Sequence, residues 1–106
     1  HDYLHAWKRL HAIRADYVAA TAGFDAVICP TAANMPPNLD RLISDNAYYR
    51  ASNLMTLRNT RVANLMGLAA LTLPTGQPST GLMLNTAPES EARLLRLGAA
   101  VAAALA

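Results

Sequence analysis

The chain has 106 residues, 53% of them hydrophobic and 15% charged, with nine basic against seven acidic side chains for a net charge of +2. Ordinary soluble domains carry roughly 25% charge, and a disordered segment carries more charge and less hydrophobicity, so disorder is excluded. A charge of +2 spread over the whole length is no clustered basic surface for nucleic acid, and no apolar stretch reaches the roughly 18 residues of a membrane span.

Residues 2–22 carry a helical pattern. Ala6, Leu10, Ile13 and Tyr17 recur at i, i+4, i+7 and i+11, with Tyr3, Trp7 and Val18 widening the stripe. Gly23 stands at the C′ position, where a left-handed residue is expected. Ala26-Val27-Ile28-Cys29, a continuous apolar run closed by Pro30, predicts a strand buried on both faces. Residues 32–47 hold Asn34, Pro36, Pro37, Asn38 and Asp40 and predict a surface loop, with a short helical turn near 39–43. A second helix is expected over 48–66, broken near Asn59-Thr60 and ended by Gly67.

Residues 69–75 and 81–86 predict two strands, and the five residues between them suit an antiparallel hairpin. Thr86-Ala87-Pro88-Glu89 has the S/T-x-x-E spacing of a capping box, which predicts a helix start there and an i,i+4 pair between Glu89 and Arg93. Leu94, Gly98, Val101, Ala102 and Leu105 form the stripe that this last helix buries. Its end, residues 97–106, has no polar side chain and is about 15 Å long as helix, half a bilayer core, so it reads as a segment meant for burial.

The fold class is α/β: a mixed sheet of about three strands, including one antiparallel hairpin, packed with three helices. That set fits equally a small α/β sandwich or one edge of a larger sheet. Residues 1–106 read as a single segment. The chain starts with His1 rather than Met, and its 22 alanines and 16 leucines describe a piece of a larger core, so it is expected to be incomplete. The single Cys29 excludes an internal disulfide framework and points to a reducing, cytoplasmic compartment.

Side chains capable of chemistry are few. His1 and His5 share a helical face, but a zinc site needs three or four ligands and no third lies nearby; they read as solvated histidines. Cys29 lies in an apolar strand with no cation within five residues, the setting of a structural thiol rather than a nucleophile. Ser44, Ser52, Ser79 and Ser90 lack a G-x-S-x-G elbow, and Ser79 reads as a turn residue. Lys8, the only lysine, sits beside Arg9 on a solvated face. Arg50, Arg58 and Arg61 could receive an anion or carboxylate, or simply pair at a surface. No phosphate loop or metal set is found, and no cofactor is expected.

Four ordered pieces resemble the C-terminal portion of the amidase-signature hydrolases. Phe24-Asp25-Ala26, leading through a strand to Pro30-Thr31, is similar to that family's FDA…TPT strand. Thr60…Asn64…Gly67…Ala70…Pro74…Gly76 resembles its asparagine-containing helix, glycine turn and following strand. Gly81-Leu82-Met83-Leu84 and then Glu91…Leu94-Leu95 are similar to its last strand and final helix. The resemblance runs from about residue 10 to 105 and implies part of a larger mixed sheet enclosed by helices.

It also implies amide C–N hydrolysis by a serine nucleophile, activated through a cis-peptide serine and a lysine. Those residues belong to segments N-terminal to the matched region, so no catalytic residue is carried over, and Lys8 does not match the lysine's setting. In the family, the loop after the TPT strand and the helix before the asparagine approach the substrate pocket. The resemblance therefore makes Thr31, Arg58 and Asn59 the candidate substrate-binding residues.

Pro78-Ser79-Thr80-Gly81 is shorter than the family's usual Gly-Leu-Pro-x-Gly lead-in, and Leu84-Asn85-Thr86 stands where members often have a glycine. Leu57, seven residues before Asn64, replaces an acidic residue typical of the glutamine-handling component of tRNA amidotransferases and counts against that branch. The expected function is a C-terminal structural and pocket-supporting fragment of a serine-dependent amidase, inactive alone. The alternatives are a non-catalytic interaction or assembly module that keeps an amidase-like half-sheet and, less favoured, a fragment of the glutamine-handling component of a tRNA amidotransferase. The expected partners are the remainder of the amidase polypeptide or a second copy of the chain, with a small amide as substrate of the complete enzyme. Neither nucleic acid nor membrane is expected.

Overall fold

The computed structural model describes residues 1–106 as five helices and three strands: α1 (Asp2–Thr21), β1 (Val27–Pro30), α2 (Leu39–Ser44), α3 (Asn46–Thr56), α4 (Arg58–Met66), β2 (Ala69–Pro74), β3 (Gly81–Thr86) and α5 (Glu91–Leu105). The sheet order is β1-β3-β2, and β3 pairs antiparallel with both neighbours, so β1 and β2 run the same way on either side of it. The β2–β3 hairpin is the expected one, with Leu71 opposite Leu84 and Leu73 opposite Leu82.

Side chains alternate across a strand, so these four leucines share one face. α5 lies on it. Ala69, Leu84 and Leu94 form the buried centre, and Leu71, Leu73, Leu82 and Val101 pack around them. Gly98 lets the helix come close to β2: a β-carbon there would stand 2.3 Å from Leu71 Cδ2. The expected stripe is therefore realised at Leu94, Gly98 and Val101, whereas Ala102 and Leu105 are exposed.

β1 departs from the sequence reading. It is an edge strand that alternates between half-buried Val27 and Cys29 and an Ile28 that is 63% exposed. α5 packs over β2 and β3, so the face of β1 that carries Ile28 is left uncovered. On the other face Tyr17 of α1 approaches Cys29. α1 also reaches α4, where Arg14 Nε donates to the Leu65 carbonyl at 2.7 Å. A cation there meets the negative end of the helix dipole and one of its free carbonyls.

The helices begin and end for local reasons. Asn38 Oδ1 accepts from the Arg41 N–H and starts α2, and Asp45 Oδ1 accepts from the Tyr48 N–H and starts α3, both at 3.0 Å. The second expected helix divides at Leu57 rather than near Asn59-Thr60, giving α3 and α4. With α2 a full short helix, five helices stand where three were expected. Gly67, at φ +68°, ends α4 by a Schellman pair: Gly67 N–H reaches the Asn64 carbonyl and Leu68 N–H the Ala63 carbonyl. Gly23 follows α1 as expected but without a left-handed φ.

The capping box does not form. Glu89 lies outside α5 at φ +59°, and the helix starts at Glu91 after Ser90. Thr86 Oγ1 instead bonds Ser90 Oγ at 2.7 Å, and Arg93 pairs with Asp25 rather than with Glu89. A turn after Pro88 lifts Glu89 off the helix, and the Arg93–Asp25 pair ties the start of α5 to the chain entering β1.

Only eight residues are buried, and α1 contributes none although it carries Tyr3, Leu4 and Trp7. The molecule is a slab of 50 × 44 × 18 Å with a radius of gyration of 16.5 Å. A compact domain of this length has a radius of about 13 Å. The exposed apolar side chains predict that the isolated chain self-associates, so its sedimentation coefficient should rise with concentration; a concentration-independent monomer would contradict this. Replacing Gly98 by Ala gains about 1 kcal/mol of helix propensity but overpacks Leu71 at a cost of about 2 kcal/mol. A lower urea midpoint is the expected result.

Candidate functional site

β1 ends at Pro30, and the chain leaves the sheet through a loop that four elements hold. Asn59 Nδ2, on the first turn of α4, donates to the Pro30 carbonyl at 2.8 Å. Thr31 N–H donates to the Gly81 carbonyl of β3 at 2.9 Å, and Thr31 Oγ1 donates to Thr72 Oγ1 of β2 at 3.2 Å. Three residues on, the Thr56 hydroxyl of α3 is shared between the Ser52 carbonyl at 2.8 Å and Asn34 Oδ1 at 3.1 Å.

Gly81 makes the Thr31 contact possible. A β-carbon there would stand 2.9 Å from Thr31 Oγ1 and 3.1 Å from Thr72 Cγ2. The loop thus borders a hollow of about 690 Å³ whose polar lining is Thr31, Asn34, Thr72, Gln77, Ser79 and Thr80. Its far wall is the β2–β3 turn, fixed by a Thr75–Thr80 hydroxyl contact and by left-handed φ at Gly76 and Ser79. Ser79 is the turn residue its surroundings predicted.

Thr31 and Asn59 therefore meet at the end of β1, one touching the hollow and the other holding Pro30. Arg58 lies at the start of α4, exposed, outside the hollow's lining and without an ion pair in the chain. Sequence reasoning missed Thr72, Asn34, Thr56 and Gly81. Thr72 breaks an otherwise apolar strand, which was the available signal, but only the strand register shows that it faces Thr31.

A smaller cavity of about 120 Å³ lies between the end of α1 and the end of β3, lined in part by Tyr17, Val27, Asn85 and Thr86. Asn85 Nδ2 donates to the Val27 carbonyl at 3.4 Å and approaches Cys29 Sγ at 3.8 Å, while its Oδ1 is buried without a partner. An orphaned buried acceptor costs on the order of 1–3 kcal/mol. Partial burial, and secondarily the neighbouring Cys29, raises the Tyr17 pKa above the ordinary tyrosine value. The His1 and His5 rings lie 4.7 Å apart between centroids and are tilted by 55°, and no three His, Cys, Asp or Glu side chains converge on a common point.

Loop, glycine turns and hairpin together frame an open polar hollow at the strand ends of an α/β fold, and binding residues are disproportionately carried on loops held by such a scaffold. The chain belongs to the amidase family, whose model matches residues 1–95. It is 35% identical over 83 residues to the 2-amino-5-chloromuconic acid deaminase of Comamonas testosteroni, covering 74% of this chain and 18% of that protein. It is 34% identical to the A component of the glutamyl-tRNA(Gln) amidotransferase of Hahella chejuensis, over 91% of this chain and 20% of that protein. The same component from Legionella pneumophila is 33% identical over 90% of this chain and 20% of its own length. The chain thus spans about a fifth of the length of these relatives. No solved structure matches it. No helix is long and apolar enough to cross a membrane.

A group whose folded pKa is raised contributes stability below its unfolded pKa and loses it as pH climbs through the folded value. Tyr17 should therefore stabilise the fold up to about pH 10 and less above it. Tyr17→Phe is expected to flatten the alkaline fall in urea midpoint; an unchanged fall would contradict the assignment.

Proposed function

We propose that this chain is the structural and pocket-supporting part of a serine-dependent amidase and has no activity alone. The observation that carries this reading is the loop 31–34, held from α3, α4, β2 and β3 beside an open polar hollow in a chain of the amidase family. In the complete enzyme the serine would attack the amide carbonyl, the C–N bond would break, and ammonia or an amine would leave before water releases the acid. Effective catalysis requires the reacting atoms to be held about 3–3.5 Å apart, and a misplacement of about 1 Å can cost on the order of a hundredfold in rate. A loop tethered at both ends supplies such positioning.

In this reading Thr31 faces the substrate and Asn59 sets the loop through Pro30, while Arg58, exposed and outside the hollow's lining, would reach the substrate only in the complete enzyme. The remaining polypeptide, or a second copy, would cover the exposed apolar faces. The two amidotransferase components, each aligned over nine-tenths of the chain, favour a second reading as a piece of such a protein. Leu57, at the α3–α4 junction, is the residue that weighs against it.

The isolated chain should release no ammonia from acetamide or propionamide, and adding the remaining polypeptide should restore release. Turnover by this chain alone would overturn the proposal.

A further inference from the structure

We infer that Gly81 and Thr72 are positioning residues whose task is to set the Thr31 hydroxyl at the end of β1. The consequence for catalysis rests on the amidase reading, whereas the positioning itself stands on the contacts. Gly81 opens β3 and pairs with Pro74 across the hairpin. Its φ is not left-handed, unlike those of Gly67 and Gly76, so its backbone conformation is one that other residues adopt. A glycine in a strand also weakens it, because it offers no side chain to pack and loses more freedom on folding. The reason for glycine here is space. A β-carbon would stand 2.9 Å from Thr31 Oγ1, 3.1 Å from Thr72 Cγ2 and 3.4 Å from Thr31 Cβ. All three atoms belong to the two threonines that pair.

Thr31 is thereby held at two atoms. Its N–H donates to the Gly81 carbonyl at 2.9 Å, and its hydroxyl donates to Thr72 Oγ1 at 3.2 Å. Threonine is stiff at χ1, so fixing the hydroxyl also fixes the methyl group beside it. Donation to Thr72 commits the Thr31 proton and leaves the Thr31 oxygen as an acceptor. With alanine at position 81, the Thr31 hydroxyl has to rotate out of the pair or its loop has to lift. With valine at position 72, the shape of threonine is kept but the acceptor is gone, and the Thr31 proton has no partner there. The two changes reach the same side chain by different routes, one by crowding it and one by removing what it bonds to.

The test uses the full-length protein that carries this chain, with crystal structures and propionamide kinetics of Gly81→Ala, Thr72→Val and Thr72→Ser. In the first two variants the Thr31 hydroxyl should turn away from residue 72. KM should rise several-fold in both, with kcat within about twofold of wild type, because the interaction lost is one made equally in ground and transition states. Thr72→Ser should keep the wild-type Thr31 position and KM. A merely structural role would instead lower the thermal midpoint and leave KM unchanged. A turned Thr31 in both variants, in a protein whose wild type releases no ammonia, would leave the positioning standing and remove the amidase reading. An unmoved Thr31 in Thr72→Val overturns the inference, as does an unchanged KM in an active variant where Thr31 has moved. If Gly81→Ala does not fold, the two Thr72 variants decide by the same outcomes.

Discussion

The position of β3 is the constraint on which the rest of the structure depends. It is hydrogen-bonded along both edges and buried along both faces, and Leu84 at its centre is 1% exposed, the deepest side chain in the molecule. Its two ladders fix the register of β1 and β2. That register puts Leu71, Leu73, Leu82 and Leu84 on one face for α5 to cover, and it brings Gly81 opposite Pro74 at the end where the candidate site is built. Removing β3 would leave β1 and β2 without a partner and α5 without a floor.

The same arrangement explains why the chain cannot enclose itself. One helix covers one face of two strands, and the remaining helices touch the sheet at their ends or are tied in through single polar contacts such as Arg14 to Leu65 and Asn59 to Pro30. Hydrophobic burial is the dominant favourable term in folding, and here it amounts to a patch around Ala69, Leu84 and Leu94 beneath α5, with Met83 on the other face of β3 and Ala63 of α4. The side chains left uncovered include Tyr3 of α1 and Ile28 of β1. The charge-poor composition, which excluded disorder and nucleic-acid binding at the outset, has its counterpart in these faces.

Much of the fold was legible because its signals were local. The hairpin bounds followed from the Gly76–Gly81 turn chemistry, α4 ended at the glycine that its C-terminus needs, and the α5 stripe followed the helical period through Leu94, Gly98 and Val101. The misread features depend on distant partners. A continuous apolar run looks like a doubly buried strand, yet Ile28 is exposed because α5 reaches only β2 and β3. Thr86 and Glu89 have capping-box spacing, but Asp25, more than sixty residues away, captures Arg93 and the helix begins two residues later. The resemblance located Thr31 and Asn59 at the loop they share; Thr72 and Gly81 needed the register, which no single segment encodes.

Amide hydrogen exchange on the isolated chain at high dilution tests the central claim, that stability is concentrated at β3 and its α5 cover. Exchange should be slowest for the β3 amides bonded to β1 and β2, intermediate in α5, and fast throughout α1, which buries no residue. Protection of α1 equal to that of β3 would contradict the claim, because the chain would then hold a second stable core that its burial does not provide.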